Sequence, residues 1–456
     1  MNMNDTANFI SKETINMLSN ISLDDVAERL GHTLRRSGNN YALFCPNPNH
    51  GFEKTPDTMI SLSKGLFKCF GGGGCGCRGN NAISFYSWHT YGSAEKEYFK
   101  DSVIGLAEIY GIPVKFENGK VIKNDSVQIV PKQRAVMDEV PAQPDEICNK
   151  VYRRYLSLCP LLEDHVKEWR KRRKYSDSEI QAFGLRSVPT SVEQANQIVR
   201  TLLEEGYNLD RIPGFSKALK VNGDPANEDD WYWIIGMQGK YYLPVRNELG
   251  LIVRLRVATG RTDGKAKYVW FSSDPTSPDE IKNSTVYSRD RLRIGGAPSG
   301  AVINVTVPSK LLKLWKPGDE LSHYFDTSVA IVTEGEHKST ITANYTNQLV
   351  FGLPGAGNYQ DLIPLAKRMQ IKKLAIAIDT DAFVDKTKKQ GKNVIVFQHL
   401  QNMVTLCIKE DIEVVLWCWN PEDGKGLDDS LLNGVLPIEI DILTDDRKVI
   451  SLPYIG

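Results

Sequence analysis

The length, composition and charge of the chain exclude several classes of protein. Its 456 residues exceed the size of a single hydrophobic core and predict two to four domains. Hydrophobic residues make up 41% of the chain and charged residues 25%, which excludes a disordered or collagen-like protein. Because 56 Lys and Arg balance 56 Asp and Glu, the net charge argues neither for nor against a polyanionic partner.

Two further features concern the cellular location. No apolar run approaches the roughly 20 residues that cross a bilayer, and the polar start MNMNDTANFISKE lacks the parts of a signal peptide. We therefore expect a cytoplasmic protein without a membrane partner. Half of the eight cysteines lie in one short segment, and in a reducing compartment such a cluster indicates a metal site rather than disulfides.

The first predicted domain, residues 1–112, combines a small antiparallel ribbon with helices. A helix is predicted from Ser22, in SLDDVAERLGHTL, because a serine N-cap and an acidic first turn precede apolar residues on one face. Three strands follow, YALFC, DTMISL and LFKCF, each bounded by Gly, Pro or Asn. Helical periodicity returns over residues 81–112, and the charged, proline-containing residues 113–145 are predicted to be a linker.

The glycine-rich stretch CFGGGGCGC, residues 69–77, could be a phosphate loop, a redox pair or half of a metal site. A phosphate loop requires Lys-Ser/Thr after the glycines and a redox pair requires CxxC, and neither is present. Cys45 and His50, in CPNPNH, form a second short-spaced pair upstream. Two such pairs on hairpin turns predict a four-coordinate zinc site, with Cys69 and Cys75 as the other ligands. Cys77 is also within reach and stays an alternative to Cys75.

The segment CPNPNHGFEKTPDTMISLSKGLFKCFGGGGCG resembles the zinc ribbon of bacterial DnaG-type DNA primases. The shared features are a Cys-Pro-x-His pair, a Lys-Thr-Pro run and a second cysteine pair followed by an Ala-Ile helix. Here His50 is displaced by two residues and the second pair is widened, as in versions from phages and mobile elements. The resemblance implies a structural zinc ion and a ribbon that reads a single-stranded DNA template.

The middle region, residues 146–318, is predicted to mix helices with hairpin strands. Its run YYLPVRNELGLIVRLRVATGRTDGKAKYVWFSS resembles the core subdomain that precedes the catalytic domain in the same primases. The resemblance implies that Arg246, Arg256 and Lys267 face the template or the incoming nucleotide. Without it, such cations would be interpreted as a solvated hairpin face. The basic run at residues 170–174 is either a further nucleic-acid contact or a solvated helix end.

The last region, residues 319–456, alternates apolar strands with helices, which is typical of an open parallel sheet. Carboxylates follow three of the strands, and the carboxyl ends of parallel strands share one edge of a sheet. The acids that we expect to converge there are Glu334, Asp379, Asp381 and Asp428. Hard oxygen ligands of this kind hold Mg²⁺ or Mn²⁺, which support phosphoryl transfer.

The order strand-Glu-Gly, strand-Asp-x-Asp and acidic loop resembles the Toprim domain shared by DnaG-type primases, topoisomerases and some nucleases. By this resemblance, the catalytic and metal-binding residues are Glu334, Asp379 and Asp381. Asp428 would support a second ion, and the glycine after Glu334 would allow a tight strand-to-helix turn. Lys338 stands where replicative primases carry an acid, and we assign it to nucleotide binding.

The resemblances occur in family order and imply both the fold class and the function. The expected fold is multidomain α+β and α/β, with an N-terminal zinc ribbon, a mixed α+β primase core subdomain and a C-terminal Toprim α/β domain with a mainly parallel sheet. They imply a DNA primase that makes short RNA primers on single-stranded DNA from nucleoside triphosphates, for a plasmid, phage or other mobile element. Because the sequence has no Walker A motif, a separate replicative helicase is an expected partner. A metal-dependent Toprim nuclease and a catalytically silent single-stranded DNA-binding protein stay as alternatives.

Overall fold

A computed structural model of the chain divides it into two compact units, residues 1–139 and 140–456. The residues that it describes are 9–37, 40–50, 55–62, 65–71, 75–124, 129–132, 141–237, 239–261, 266–273, 293–384, 387, 391–444 and 446–450. The division falls inside the predicted linker. The four predicted domain ranges themselves stay predictions.

The first unit is built on a five-stranded antiparallel sheet in the order β1-β2-β3-β4-β5. Its strands are β1 Arg35–Ser37, β2 Asn40–Leu43, β3 Thr58–Ser61, β4 Leu66–Cys69 and β5 Arg78–Gly79. The described helices are α1 Lys12–Ser19, α2 Leu23–Arg29, α3 Ala82–Tyr91 and α4 Lys96–Ile109. A two-stranded ribbon follows, β6 Val114–Lys115 and β7 Val121–Ile122.

The predicted elements of this unit are confirmed, with one change. The strands β3 and β4 lie in their predicted segments, β2 begins one residue before its own, and α2 begins directly after its N-cap Ser22. The predicted helical stretch 81–112 is two helices, because Gly92 takes a left-handed conformation (φ 68°) that ends α3. Phe67 of the sheet packs edge-on against Phe85 of α3, and this core fixes the turns that carry the cysteines.

The second unit begins with helices and two antiparallel sheets. The helices are α5 Asp145–Leu158, α6 Glu163–Arg173, α7 Asp177–Phe183 and α8 Val192–Glu204. The sheets have the orders β13-β12-β11-β8 and β10-β9-β14. Their strands are β8 Arg186–Ser187, β9 Phe215–Leu219, β10 Trp231–Ile235, β11 Tyr241–Arg246, β12 Ile252–Ala258, β13 Tyr268–Trp270 and β14 Arg293–Ile294. This part is the mixed α+β region that the sequence predicts.

The rest of the second unit is a seven-stranded mixed sheet in the order β15-β17-β16-β18-β19-β20-β21. Its strands are β15 Asn304–Thr306, β16 Val329–Glu334, β17 Leu349–Leu353, β18 Lys373–Ile376, β19 Glu413–Cys418, β20 Ile438–Asp441 and β21 Arg447–Val449. The helices are α9 Ser309–Leu312, α10 Glu336–Thr346, α11 Leu362–Arg368, α12 Val394–Lys409 and α13 Leu427–Leu432. The four central strands are parallel, whereas β15, β20 and β21 pair antiparallel at the edges. The multidomain α+β fold class with a parallel-centred C-terminal sheet is therefore confirmed.

Apolar side chains cover both faces of this sheet, as a parallel centre requires. Along β16, Ile331 joins the core on one face and Val332 joins the core on the other. The chain leaves β16 for β17 on one side and then returns to β18 on the other side of β16. This reversal creates a crevice at the carboxyl ends of β16 and β18, the place where open α/β sheets bind ligands.

Among the described residues, no helix is both long enough and apolar enough to cross a membrane.

Candidate metal centres and nucleotide site

The first unit brings four predicted ligands together at one end of its sheet. Cys45 follows β2, His50 lies in the next turn, Cys69 ends β4, and Cys75 lies in the segment before β5. Their ligand atoms all lie within 4.8 Å of one another. The Cys45 and Cys75 sulfurs are 3.7 Å apart, close to the ~3.8 Å edge of a tetrahedron with Zn–S bonds of ~2.3 Å. The arrangement suits a four-coordinate zinc ion.

Cys77 lies beside this group but outside it. Its carbonyl oxygen accepts a hydrogen bond from the Cys69 N–H at 2.9 Å, and its side chain is buried. A hydrogen bond with Cys77 is the main reason why the pKa of Cys45 falls to about 4. The geometry therefore gathers Cys75, the favoured fourth ligand, and gives Cys77 a supporting contact.

The electrostatics of the cysteine group favour a bound cation. Burial raises the pKa of Cys69 to about 12 and is also the main cause of the raised pKa of Cys75. A zinc ion favours deprotonation of all its sulfur ligands, so zinc binding would release protons and couple to the folding of this small unit. Four soft and borderline donors at tetrahedral spacing fit Zn²⁺.

In the second unit, three of the predicted acids lie beside the crevice between β16 and β18. Glu334 is the last residue of β16, and Asp379 and Asp381 flank the start of a short 3-10 turn, Thr380–Ala382, after β18. Gly335 links Glu334 to α10 with φ 90° and ψ 156°, a conformation essentially restricted to glycine. The tight strand-to-helix turn expected there is present.

Two lysines occupy the space between these acids. The ammonium group of Lys338, on the first turn of α10, forms an ion pair with Asp379 Oδ1. Lys425 Nζ lies 2.9 Å from Asp381 Oδ2 and 3.7 Å from Asp379 Oδ2. Among the described residues, the acids are consequently not gathered at the ligand spacing of the cysteine group. Lys338, the predicted nucleotide contact, thus lies at the acidic edge and pairs with Asp379.

The carboxylate of Glu334 differs from the two aspartates. It makes no hydrogen bond or ion pair with any residue that the structure describes, and the residue is half-buried. Burial is the main cause that raises the pKa of Glu334, while Lys338 lowers it and Asp379 raises it further. A half-buried carboxylate that has no cation partner would be stabilised in its charged form by a hard divalent ion. Glu334, Asp379 and Asp381 are therefore the residues that could hold a Mg²⁺ or Mn²⁺ ion at this edge.

The structure does not bring Asp428 into that set. Its Oδ2 atom accepts a hydrogen bond from Arg173 NH1 at 2.9 Å, and the two side chains are 3% and 15% exposed. Its Oδ1 atom is buried without a hydrogen-bond partner among the described residues. Burial is the main cause of a raised pKa at Asp428. Asp428 thus lies in an ion pair with Arg173, and its support of a second ion stays a prediction.

The three other predicted nucleotide contacts have different surroundings. Arg256 is buried, with Nε 3.2 Å from Glu336 Oε1 and its guanidinium 4.6 Å from the Trp270 ring centroid. Lys267 is exposed on the segment before β13. Arg246 is buried, and its NH2 group donates to the Phe183 carbonyl at the end of α7. Its Nε atom is buried without a hydrogen-bond partner among the described residues, and the nucleotide contact of Arg246 stays a prediction.

An open cavity of about 480 Å³ adjoins the acidic edge. Asp381 and Lys425 both line it, together with Thr380, Val384, Thr387, Pro421 and Glu422. Its volume falls in the range that small-molecule ligands occupy in proteins, roughly 300–1,000 Å³. An exposed ammonium group at the mouth of such a cavity suits a phosphate-bearing ligand.

Comparison with known proteins finds a family model that matches the first unit. Residues 10–121 match the model of the DnaG zinc ribbon, described as a CHC2 zinc finger. This range contains all four ligands of the cysteine group. The first unit is therefore similar to the DnaG zinc ribbon over these residues.

Two curated relatives extend the likeness beyond the ribbon. The DNA primase of Lactococcus lactis subsp. lactis (strain IL1403) is 29% identical over 267 residues, which are 57% of this chain and 36% of the relative. The DNA primase of Listeria monocytogenes serovar 1/2a is 24% identical over 272 residues, which are 59% of this chain and 38% of the relative. Both relatives are DNA primases, and this chain is similar to part of each. It matches little more than a third of the length of these two relatives.

One solved structure is also similar. The primase of Aquifex aeolicus, described by its zinc-binding and RNA polymerase domains, has a TM-score of 0.39 and 19% identity to this chain. The alignment covers 92% of this chain and 81% of that chain.

Sequence reasoning missed two cations at the acidic edge. Lys425 lies in the GKGLDD motif, where the basic residue could have been noticed beside the acids. Arg173 lies 255 positions from its partner Asp428, and its sequence context indicates only a basic helix end. Neighbouring carboxylates repel each other unless cations lie close to them. This need for cations was the only signal in the sequence that basic partners such as Lys425 and Arg173 would be found there.

Proposed function

We propose that the protein is a DNA primase that synthesises short RNA primers on single-stranded DNA. The observation that carries this proposal is a DnaG-type zinc ribbon in the same chain as three acids at the switch point of a parallel-centred sheet. The displaced His50 and the lysine at position 338 favour a replicon of a plasmid, phage or other mobile element. A separate helicase would open the duplex template.

The acidic edge would perform the chemistry of primer extension. Glu334, Asp379 and Asp381 would hold one Mg²⁺ or Mn²⁺ ion. When bound, such an ion polarises phosphoryl oxygens and offsets the negative charge that develops during in-line displacement. The 3′-hydroxyl of the growing primer would attack the α-phosphate of the incoming nucleotide and release pyrophosphate. Holding the two reactants in one crevice lowers the entropic part of the barrier.

Basic residues beside the acids would position the nucleotide and the template. Lys425 lines the open cavity and is 63% exposed, so its ammonium group can leave the aspartates for a triphosphate. Arg256 is held against Glu336 and Trp270 near the start of α10, where its role would be to fix that helix start. Lys267, which is exposed, is the proposed template contact.

A single reaction mixture tests the function. The zinc-loaded protein, single-stranded DNA, Mg²⁺ or Mn²⁺ and labelled ribonucleotides should yield new oligomers. Cleaved template without new oligomers would instead identify a nuclease. DNA binding without any turnover would identify a silent binding protein.

Variants at the acidic edge test the site assignment. Glu334→Gln and Asp379→Asn should abolish primer synthesis while leaving binding of single-stranded DNA largely intact, because each removes a proposed ion ligand. Asp361→Asn is the matched control, since Asp361 is an exposed acid at the start of α11. Full synthesis by Glu334→Gln, or equal loss in the control, would reject these residues as the site.

A further inference from the structure

Lys338 is confined between two carboxylates at the acidic edge. Its ammonium group pairs with Asp379 Oδ1, and its side chain is only 23% exposed. The end of the side chain also lies against Gly426, where an added Cβ would be 3.0 Å from Lys338 Cε. The same Cβ would be 2.5 Å from Asp428 Oδ1. The Lys338 side chain and the unpartnered oxygen of Asp428 therefore share one small space.

A second fixed cation lies on the far side of Asp428. Arg173 NH1 is 2.9 Å from Asp428 Oδ2, and the Asp428 side chain is buried whereas that of Arg173 is partly buried. Because Arg173 belongs to α6, the packing of that helix determines where its guanidinium lies. Asp428 is thus flanked by two cationic side chains that have little freedom to move.

Lys425 differs from these two cations. Its side chain is 63% exposed, so its ion pairs with Asp381 and Asp379 exchange readily with solvent or with a ligand. Of the three cations at this edge, Lys425 is the one that can give way when an ion binds.

The charges at this edge fit one divalent ion better than two. Four carboxylates, Glu334, Asp379, Asp381 and Asp428, stand against three cationic side chains, Arg173, Lys338 and Lys425. Of these four carboxylates, the one without a cation partner among the described residues is that of Glu334. A two-ion site brings four positive charges and needs carboxylates on both ions. Here, Lys338 takes one oxygen of Asp379, and Arg173 takes one oxygen of Asp428.

We propose that Lys338 and Arg173 are fixed cations that replace a second divalent ion, so that the acidic edge binds a single Mg²⁺ or Mn²⁺ through Glu334, Asp379 and Asp381. The inference rests on the proposed function, because it concerns the ion that primer synthesis would use. The two side chains would neutralise the edge permanently, whereas a second ion would exchange with solvent.

Counting bound Mn²⁺ tests the proposal directly. Electron paramagnetic resonance of free Mn²⁺ gives the number of ions bound per chain, and loading with zinc beforehand blocks the cysteine group. The wild-type protein should bind one Mn²⁺. Lys338→Asp should bind two, since it removes a fixed cation and adds a carboxylate between Asp379 and Asp428. Glu334→Gln should weaken the single site at least tenfold.

Lys367→Met is the matched control, because it removes an exposed lysine that pairs with Glu410 and not with the acids of the edge, and this variant should still bind one ion. Two ions in the wild-type protein would overturn the proposal without any variant, and one ion in a folded Lys338→Asp protein would also overturn it. Primer synthesis measured on the same samples separates the two ideas. Synthesis by a wild-type protein that holds two ions would keep the proposed function and reject the lysine inference. One bound ion without primer synthesis would keep the inference about Lys338 and Arg173 and reject the proposed function.

Discussion

At the scale of single residues, the basic run at 170–174 is not one surface. Arg170 pairs with exposed Asp177 at 2.6 Å, whereas Arg173 points into the second unit and pairs with buried Asp428. The sequence predicted a shared role for the run because its residues are adjacent and alike. Arg173 differs from Arg170 because its partner, Asp428, lies far along the chain, and neither the composition nor the spacing of the run reveals that partner.

Arg173→Met should destabilise the second unit by about 3–5 kcal/mol, because it leaves the Asp428 carboxylate buried without its partner. Arg170→Met is the control and should cost less than about 1 kcal/mol, since its pair is exposed on both sides. Urea unfolding of the two variants measures the difference. Equal stabilities would show that Asp428 is neutral in the folded protein.

His337 gives a prediction about pH. It is buried on α10 between the hydroxyls of Tyr175 and Tyr241, and burial, with Arg173 and Arg172, holds its pKa well below 6.5. As the pH falls below 6.5, the unfolded chain binds a proton that the folded chain does not, so stability is lost on acidification. Between pH 6.5 and 5, this loss is about 2 kcal/mol for one proton.

The measurement is urea unfolding at pH 7 and pH 5 for the wild-type protein and His337→Gln, which is neutral at both values. The wild-type protein should lose more stability than the variant. The same loss in both would mean that His337 is charged in the folded state.

At the scale of elements, the long apolar strands were predictable and the short edge strand was not. The sequence run VAIVTEG corresponds to β16, and KLAIAID to β18, because buried parallel strands consist of continuous apolar residues. The positions of Glu334, Asp379 and Asp381 follow from those strand ends. β15 has three residues and lies in the predicted middle region, yet it pairs with β17 in the seven-stranded sheet. A strand of three residues is too short for its sequence to predict which strand it pairs with.

The zinc ribbon also makes a prediction at this scale. The wild-type protein should contain one zinc per chain, Cys75→Ser should lose it, and Cys77→Ser should retain it, because Cys77 lies outside the cysteine group. Elemental analysis of the purified proteins measures the zinc content. Zinc lost from Cys77→Ser but kept in Cys75→Ser would exchange the two roles.

At the scale of the whole molecule, the division into two units predicts two responses to metal removal. Trp88 lies in the first unit, and the other seven tryptophans follow residue 140. A zinc chelator should therefore melt the ribbon while leaving most of the tryptophan fluorescence unchanged. Far-ultraviolet circular dichroism would report the lost structure. A cooperative shift of the whole emission band would show instead that the units unfold together.

The sequence also predicted the order of regions along the whole chain, since each carries its own pattern of cysteines, hairpins or parallel strands. It did not predict how the acidic edge is neutralised. Lys338, Lys425 and Arg173 reach that edge from three separate segments, and only the folded sheet brings them together.

The backbone at Gly335 has a consequence for how this protein can change over evolutionary time. A Cβ at this position would meet nothing within 4 Å, so crowding does not explain the glycine. The restriction comes from φ 90° and ψ 156°, which other residues adopt only at a cost of about 1–3 kcal/mol. Saturation mutagenesis should thus find position 335 intolerant despite open space around it. Over generations, the charged side chains around the edge could be replaced one at a time, but the glycine that sets the direction of Glu334 would have to be inherited unaltered.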